Sequence, residues 1–278
     1  MPEKKSSAQL KRRITREAKR LGANLVGYAP VSRWALGPEP AEAYRPESIW
    51  PQARTVIVMG VQMLLPIIES TPSINYQEMY NAGNQVLDQA ALRLAAWLNS
   101  LGHAAIYLPR DGYGNLEILR RKPAASFSHA IAGKYAGLGT IGTSHMLLTP
   151  EYGPRVRLVS VFTSAELPGD KLLKEELCNG CGLCVRLCRV QAFTKVKGEL
   201  IAKMAKDPCT ERHQELRRQN CWPCGICAKV CGVGEDRKLY GSTDLRVYIR
   251  EQEELQKNPN AADYRGAQHM RAHGSENV

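Results

Sequence analysis

All nine cysteines fall between positions 178 and 231, and eight of them form two ladders of one spacing, C-x2-C-x2-C-x3-C. The first is "CNGCGLCVRLC", Cys178 to Cys188, and the second is "CWPCGICAKVC", Cys221 to Cys231. Three cysteines at two-residue gaps on a tight turn bring three thiolates onto three corners of an iron-sulfur cube. In bacterial two-cluster ferredoxins the fourth ligand arrives by crossover, the last cysteine of each run serving the other cluster. Cys178, Cys181 and Cys184 would then hold one 4Fe-4S cluster with Cys231. Cys224 and Cys227 would join Cys188 on a second 4Fe-4S cluster, whose last position falls to Cys209 or Cys221. The plain ferredoxin spacing chooses Cys221.

Two other readings of the cysteines are weaker. A disulfide framework needs an oxidising compartment and an even count. Here the count is odd, and the N-terminal stretch "MPEKKSSAQLKRRITREAKR" has no apolar run of the secretory kind. Zinc sites use two separated pairs, which would leave cysteines over in each run. No apolar segment reaches membrane-spanning length, since "TVIVMGVQMLLPII" is interrupted by Gly60 and Pro66. The expectation is a cytoplasmic iron-sulfur protein.

The elements that position these thiols must come largely from upstream. With 278 residues and 44% hydrophobic content, the chain can bury a core well outside the cysteine region. Leu10, Ile14, Ala18 and Leu21 recur at helical spacing and stop at Gly22, the pattern of a helix with a glycine cap. "ANLVGYAP", "RTVIVMGVQM", "HAAIYLP" and "RVRLVSVFT" read as strands. Between them, Val86, Leu87, Ala90, Leu94, Trp97 and Leu98 share one helix face, and residues 125–135 suit a further helix. Helices alternating with strands point to an α+β sandwich. The formal charge of +11 is spread along the chain, with clusters only at Lys11 to Arg20 and at Arg217 and Arg218, and no aromatics interleave with them. A solvated basic surface is favoured over a nucleic-acid site.

A glycine loop, "YAGLGTIGTSHMLLTPEYGPRVRL", follows residue 134. Its spacing is not that of a dinucleotide-binding turn. "AGLGTIG", "LLTPEYGPRVRL" and the downstream "CGIC" with "VC" resemble the corrinoid-dependent iron-sulfur family of epoxyqueuosine reductase and the respiratory reductive dehalogenases. "YRPESIWPQARTVIVMGVQM" and "YNAGNQVLDQAALRLAAWLNSLGHAAIYLP" extend the resemblance over roughly residues 8 to 235.

That resemblance implies a nitroreductase-like, cobalamin-binding α/β sandwich over residues 1–168. A ferredoxin-like domain with two 4Fe-4S clusters would follow over 169–245, then a polar, partly disordered tail over 246–278. Electrons would pass from the clusters to a base-off cobalamin, whose cobalt, reduced to Co(I), acts on a small substrate. The cofactor would sit over the glycine loop, against Gly137, Gly139, Thr140, Gly142, Ser144 and Arg155. The resemblance also places Cys209, rather than Cys221, on the second cluster.

The sequence departs from the family pattern in several ways. Epoxyqueuosine reductases carry an aspartate shortly before the glycine loop, whereas "RRKPAASFSHA" has no carboxylate. Arg189 and Gly232 stand where prolines normally follow the last cysteine of each run. A proton donor above the corrin would come from Tyr76, Tyr80, Tyr113, Tyr135 or His145, of which Tyr113, Tyr135 and His145 are carried forward as catalytic candidates. A tyrosine needs a nearby cation to act so, and Arg110, Lys134 and Arg155 are available. Two functions compete. One is a cobalamin-dependent reductase of a small molecule; the other is an electron-transfer or reactivating protein for a separate corrinoid or redox partner. Either expects a low-potential donor such as a ferredoxin or flavodoxin.

Overall fold

The computed structural model of the chain describes residues 2–274, with side chains from residue 7 onward. The first part runs α1 (Pro2–Arg20), β1 (Leu25–Pro30), α2 (Pro46–Ile49), β2 (Thr55–Gln62), α3 (Leu65–Ile68), α4 (Ile74–Ser100) and β3 (Ala105–Leu108). It continues through α5 (Leu116–Arg121), α6 (His129–Tyr135), the short β4 (Thr140–Ile141) and β5 (Leu147–Leu148), and β6 (Val156–Thr163). β1, β2, β6 and β3 form one sheet in that order, every neighbouring pair antiparallel.

The period-two alternation of the strands explains two cores. Ile57 and Met59 of β2 with Val159 and Val161 of β6 face α1 and α4, where Ile14, Ala18, Leu87, Leu94 and Leu98 are fully buried. Val56, Val58, Leu158 and Phe162 face the other way, onto Trp34, Phe127 and the Ala132–Tyr135 side of α6. Strands covered on both faces need the continuous apolar runs that the sequence shows. The fold is mixed α and β, with an antiparallel sheet between two helical layers.

Beyond residue 164 the chain is mostly loops and short helices: α7 (Leu183–Arg186), β7 (Phe193–Thr194), β8 (Lys203–Met204), α8 (Lys206–Arg218), α9 (Ile226–Lys229) and α10 (Asp236–Leu239). α11 (Val247–Glu254) and α12 (Arg265–Ala272) follow. The tail expected to be partly disordered instead folds back. Buried Arg271 of α12 donates to the carbonyls of Ser70 (3.1 Å), Glu69 (3.2 Å) and Thr71 (2.8 Å), and pairs with buried Glu251 at 2.5 Å. Glu251 also holds buried Lys229 at 2.6 Å. Composition hid this docking because few large apolar residues hold the tail: Tyr248 packs on Leu187 and Val230, and ion pairs and carbonyls do the rest. Residues 275–278 of the expected tail lie outside the described residues.

Candidate functional site

The cysteines separate into two groups of four. Burial, then the neighbouring Cys231, Cys181 and Cys178 thiolates, pushes Cys184 up to about 11. Burial, then Cys224 and Cys188, pushes Cys209 up to about 11. Burial also raises Cys227, with Cys224, Cys209, Cys184 of the other group and Cys188 close enough to add to it, so the two groups are neighbours. Cys178 moves the other way: burial acts to raise it, but hydrogen bonds from the Thr143 hydroxyl and the backbone N–H groups of Thr143 and Gly180 prevail. Cys221 is buried, and its Sγ donates to the Gln219 carbonyl at 3.3 Å. None of the nine cysteines is in a disulfide. Among the described residues no three His, Cys, Asp or Glu side chains gather around a point suited to a single ion.

Local geometry explains the spacing. Gly180, Gly182 and Gly225 adopt φ of 67°, 78° and 66°, turning the backbone so that consecutive cysteines converge. A Cβ on Gly225 would lie 2.4 Å from the Tyr76 ring. That places the second ladder directly against α4, and the Thr71 hydroxyl reinforces the contact by donating to the Cys224 carbonyl at 2.5 Å.

All four cysteines of the second group, together with Cys184 of the first, line a cavity of about 310 Å³, whose other wall is Tyr76, Tyr80, Tyr113, Ser144 and Arg157. Tyr113 and Trp222 also line an outer polar cleft of about 530 Å³. The half-buried Arg157 guanidinium ties this wall together. It donates to Asn84 (3.0 Å) and Asp111 (2.8 Å) and lies 4.4 Å from the centre of the Tyr80 ring, which meets Trp222 edge-on at 4.7 Å. Burial pushes the Tyr76, Tyr80 and Tyr113 hydroxyls up, so all three hold their protons at neutral pH, while Arg157 opposes the rise in each.

Sequence reasoning did not single out Arg157. The available signal was "RVR": two arginines two residues apart entering a buried strand must share one face.

Tyr113 is therefore the catalytic candidate at this cavity. Tyr135 and His145 are elsewhere, on a groove of about 1010 Å³ that also takes in Gly139 and Thr140. Tyr135 packs edge-on against Trp34 at 5.1 Å and donates to the Glu39 carbonyl. His145 Nε2 donates to the Ala202 carbonyl at 2.6 Å.

The glycine loop makes room for the chain's own backbone. A Cβ on Gly137 would stand 2.3 Å from the Lys171 carbonyl, one on Gly139 1.9 Å from the Leu148 carbonyl, and one on Gly142 2.8 Å from the Leu148 side chain. The Thr140 hydroxyl accepts from the Leu177 N–H at 3.0 Å, so the loop grips the start of the first ladder. Ser144 remains on the cavity wall.

Arg155 also lines the cavity, but its donors run to the second half of the chain. Nε and Nη2 reach the two oxygens of buried Asp236, each at 2.6 Å. Nη1 and Nη2 reach the carbonyls of Ala228 (3.3 Å), Cys231 (3.1 Å) and Val233 (2.6 Å). Arg155 thus fixes the backbone around Cys231.

Known proteins with this pattern fall into two groups. Residues 173–194 match the 4Fe-4S binding domain family. A tetrachloroethene reductive dehalogenase of Desulfitobacterium hafniense is 26% identical over 247 residues, covering 72% of this chain and 42% of the relative. An epoxyqueuosine reductase of Synechococcus sp. (strain RCC307) is 25% identical over 177 residues, covering 60% of this chain and 52% of the relative. The chain is a divergent relative of these two reductase groups. It spans only about half, or less, of the length of those curated relatives. A solved catabolic reductive dehalogenase shares the fold, with a TM-score of 0.60 at 21% identity, over 87% of this chain and 34% of the other. No helix among the described residues is long and apolar enough to cross a membrane.

Proposed function

We propose that this chain is an iron-sulfur reductase in which two 4Fe-4S clusters, one surface-facing and one against the cavity, deliver electrons to a cofactor-assisted reduction of a small molecule. The observation that carries this reading is the second four-thiol group opening directly onto a cavity walled by Tyr113 and Arg157. Cys178, Cys181, Cys184 and Cys231 would hold one cluster, and Cys188, Cys209, Cys224 and Cys227 the other. The C-x2-C-x2-C-x3-C spacing of both runs and the 4Fe-4S binding domain match over residues 173–194 favour a polynuclear cluster over a mononuclear metal. Cys181 is exposed, so the first cluster is where a low-potential donor would deliver electrons.

The residues at the cavity fit a cobalamin held without a protein base. His213 is the histidine on its wall, and His213 Nδ1 accepts from Trp222 Nε1 at 3.2 Å, which puts the hydrogen of the neutral ring on Nε2 and leaves no lone pair for a metal. A bound cobalamin would supply low-potential electron transfer at cobalt. The chain's own contribution is the rest: Tyr80 and Trp222 exclude water, Asp111 and Asn84 orient Arg157, and Tyr113 holds a proton at its hydroxyl. Burial, Asp111 and Tyr80 disfavour the phenolate that loss of this proton would leave, and Arg157 and Arg110 offset part of that cost.

One observation favours the second reading, a protein that passes electrons to a separate partner without its own cobalamin. The cavity is only about 310 Å³, and part of that space belongs to the second cluster. Anaerobic reconstitution with iron, sulfide and hydroxocobalamin, followed by desalting, separates the two. One retained cobalt per chain with a base-off visible spectrum supports the reductase. Full iron content without cobalt selects the electron-transfer reading.

A further inference from the structure

Arg212 has no part in the site described above, yet it lies on the same cavity. It comes three residues after Cys209 on α8, the spacing that puts two side chains on one helix face. Both line the cavity, together with Cys188, Cys224 and Cys227. The Arg212 side chain is 15% exposed, and its Nη1 donates to the more exposed Glu215 at 3.1 Å. Nε is different: it is buried, and no acceptor among the described residues takes its hydrogen. A buried N–H without an acceptor is costly, so this one calls for an acceptor within the cavity. Among the described residues no Asp or Glu lines that cavity, whereas the four thiols of the second group do.

The arginines beside the first group are already committed. Every guanidinium nitrogen of Arg155 is bonded to Asp236 or to a backbone carbonyl. Those of Arg237 reach the carbonyls of Cys231, Lys229 and Ser242 and the Tyr248 hydroxyl. At the second group, Arg189 follows Cys188 directly, lines the same cavity and adds a further positive charge. Burial raises the Cys224 thiol and Cys188 adds to the rise, while the Ile226 N–H, Arg212 and Arg189 act against it. Both cations therefore lie close enough to favour negative charge on this group.

We propose that Arg212 tunes the second cluster: its Nε–H donates to a sulfur of that cluster and, with the charge of Arg189, raises the cluster's reduction potential. The inference rests on the two-cluster reading above and gives it a direction. A reduced 4Fe-4S cluster carries one more negative charge than the oxidised one, so a hydrogen bond to its sulfur and a nearby cation favour the reduced form. The step moves one electron: the first cluster, reduced by a low-potential donor, is reoxidised as the second is reduced. Electrons would thus collect beside the cavity.

The test is an EPR-monitored redox titration of the full chain, anaerobically reconstituted with iron and sulfide and with no substrate present. Reconstituted Cys209→Ser supplies the signal of the first cluster alone. Arg212→Leu should lower the equilibrium constant for reducing the second cluster roughly tenfold, about 59 mV for one electron, and move the first cluster much less. Arg212→Lys keeps the charge without the Nε–H and should recover part of the shift, and Arg189→Gln should lower the same potential by a smaller amount. Should Arg212→Leu lose iron, Arg212→Lys carries the test, with a smaller decrease expected at the second cluster. Unchanged potentials in the Arg212 variants, or an equal shift of both clusters, overturn this inference and leave the two-cluster reading standing. Full recovery by Arg212→Lys overturns the hydrogen bond and assigns the effect to charge. A wild-type chain with a single cluster overturns the two-cluster reading and this inference with it.

Discussion

The two groups of four thiols sit in opposite surroundings. The first includes exposed Cys181 and is held from outside by loops: Thr143 reaches Cys178, and Lys195 Nζ caps the Gly180 carbonyl at 3.0 Å. The second is packed by Tyr76 on one side and opens onto the Arg157 cavity on the other. The two groups thus differ in that one reaches the surface through Cys181 while the other lies wholly along the cavity. Burial raises the cost of charge and solvent exposure lowers it, so the two positions suit different reduction potentials. The pair of arginines beginning β6 shows the same division of labour. Arg155 bonds to Asp236 and the Cys231 carbonyl and holds the first group's crossover cysteine, while Arg157 turns its charge toward the tyrosines.

The largest effect should come from breaking the link on the first group's side. Asp236→Ala leaves the Arg155 guanidinium buried without a counter-charge, and both side chains are essentially inaccessible. We expect a loss of about 3–5 kcal/mol in denaturant unfolding, with iron lost alongside. Retention of full stability would mean that the pair does not fix the ladder.

A smaller, pH-limited effect should act on the cavity side. Buried His129 is bonded to the Ser160 hydroxyl and the Pro109 carbonyl, and so anchors the loop that carries Asp111 and Tyr113. Burial pushes it down to about 4 from its ordinary 6.5. Above pH 6.5 the ring is neutral folded or unfolded and nothing is lost. As pH falls from 6.5 toward 4 the unfolded chain takes up a proton that the folded one does not, so stability drops by about 3 kcal/mol. Unfolding midpoints across that range should fall for the wild type and stay flatter in His129→Gln. Parallel slopes would remove His129 from the account.

The smallest structural effect is expected from Tyr113→Phe. It should leave iron content unchanged and stability within about 1 kcal/mol, yet reduce turnover of any substrate by roughly 10²- to 10⁴-fold, the range of a lost general acid. Unimpaired turnover would assign the proton to another group.

Much of this arrangement was legible before the structure. The four sheet strands and α1, α4 and α6 lie where apolar periodicity placed them, because a double-sided core leaves an unambiguous pattern at Ile57, Val58 and their neighbours. The cysteine ladders announced their chemistry through spacing alone. What spacing left open was the choice between Cys209 and Cys221, since Cys209 enters from α8 and its nearness to Cys188 depends on how loops close. The roles of Arg155 and Arg157 were equally hidden: a strand pattern gives their shared face, but not which carboxylate each will meet. Tyr135 and His145 were adjacent to the glycine loop in sequence, yet the loop's glycines serve chain-to-chain packing and turn both residues to a different groove.

The claim that the chain holds two clusters, with Cys209 completing the inner one, is tested most directly by iron and acid-labile sulfide analysis of anaerobically reconstituted Cys209→Ser and Cys221→Ser. The account predicts that Cys209→Ser loses about half of the iron, one 4Fe-4S cluster, while Cys221→Ser keeps all of it. Loss in Cys221→Ser with full retention in Cys209→Ser would contradict it and restore the simple ferredoxin ladder.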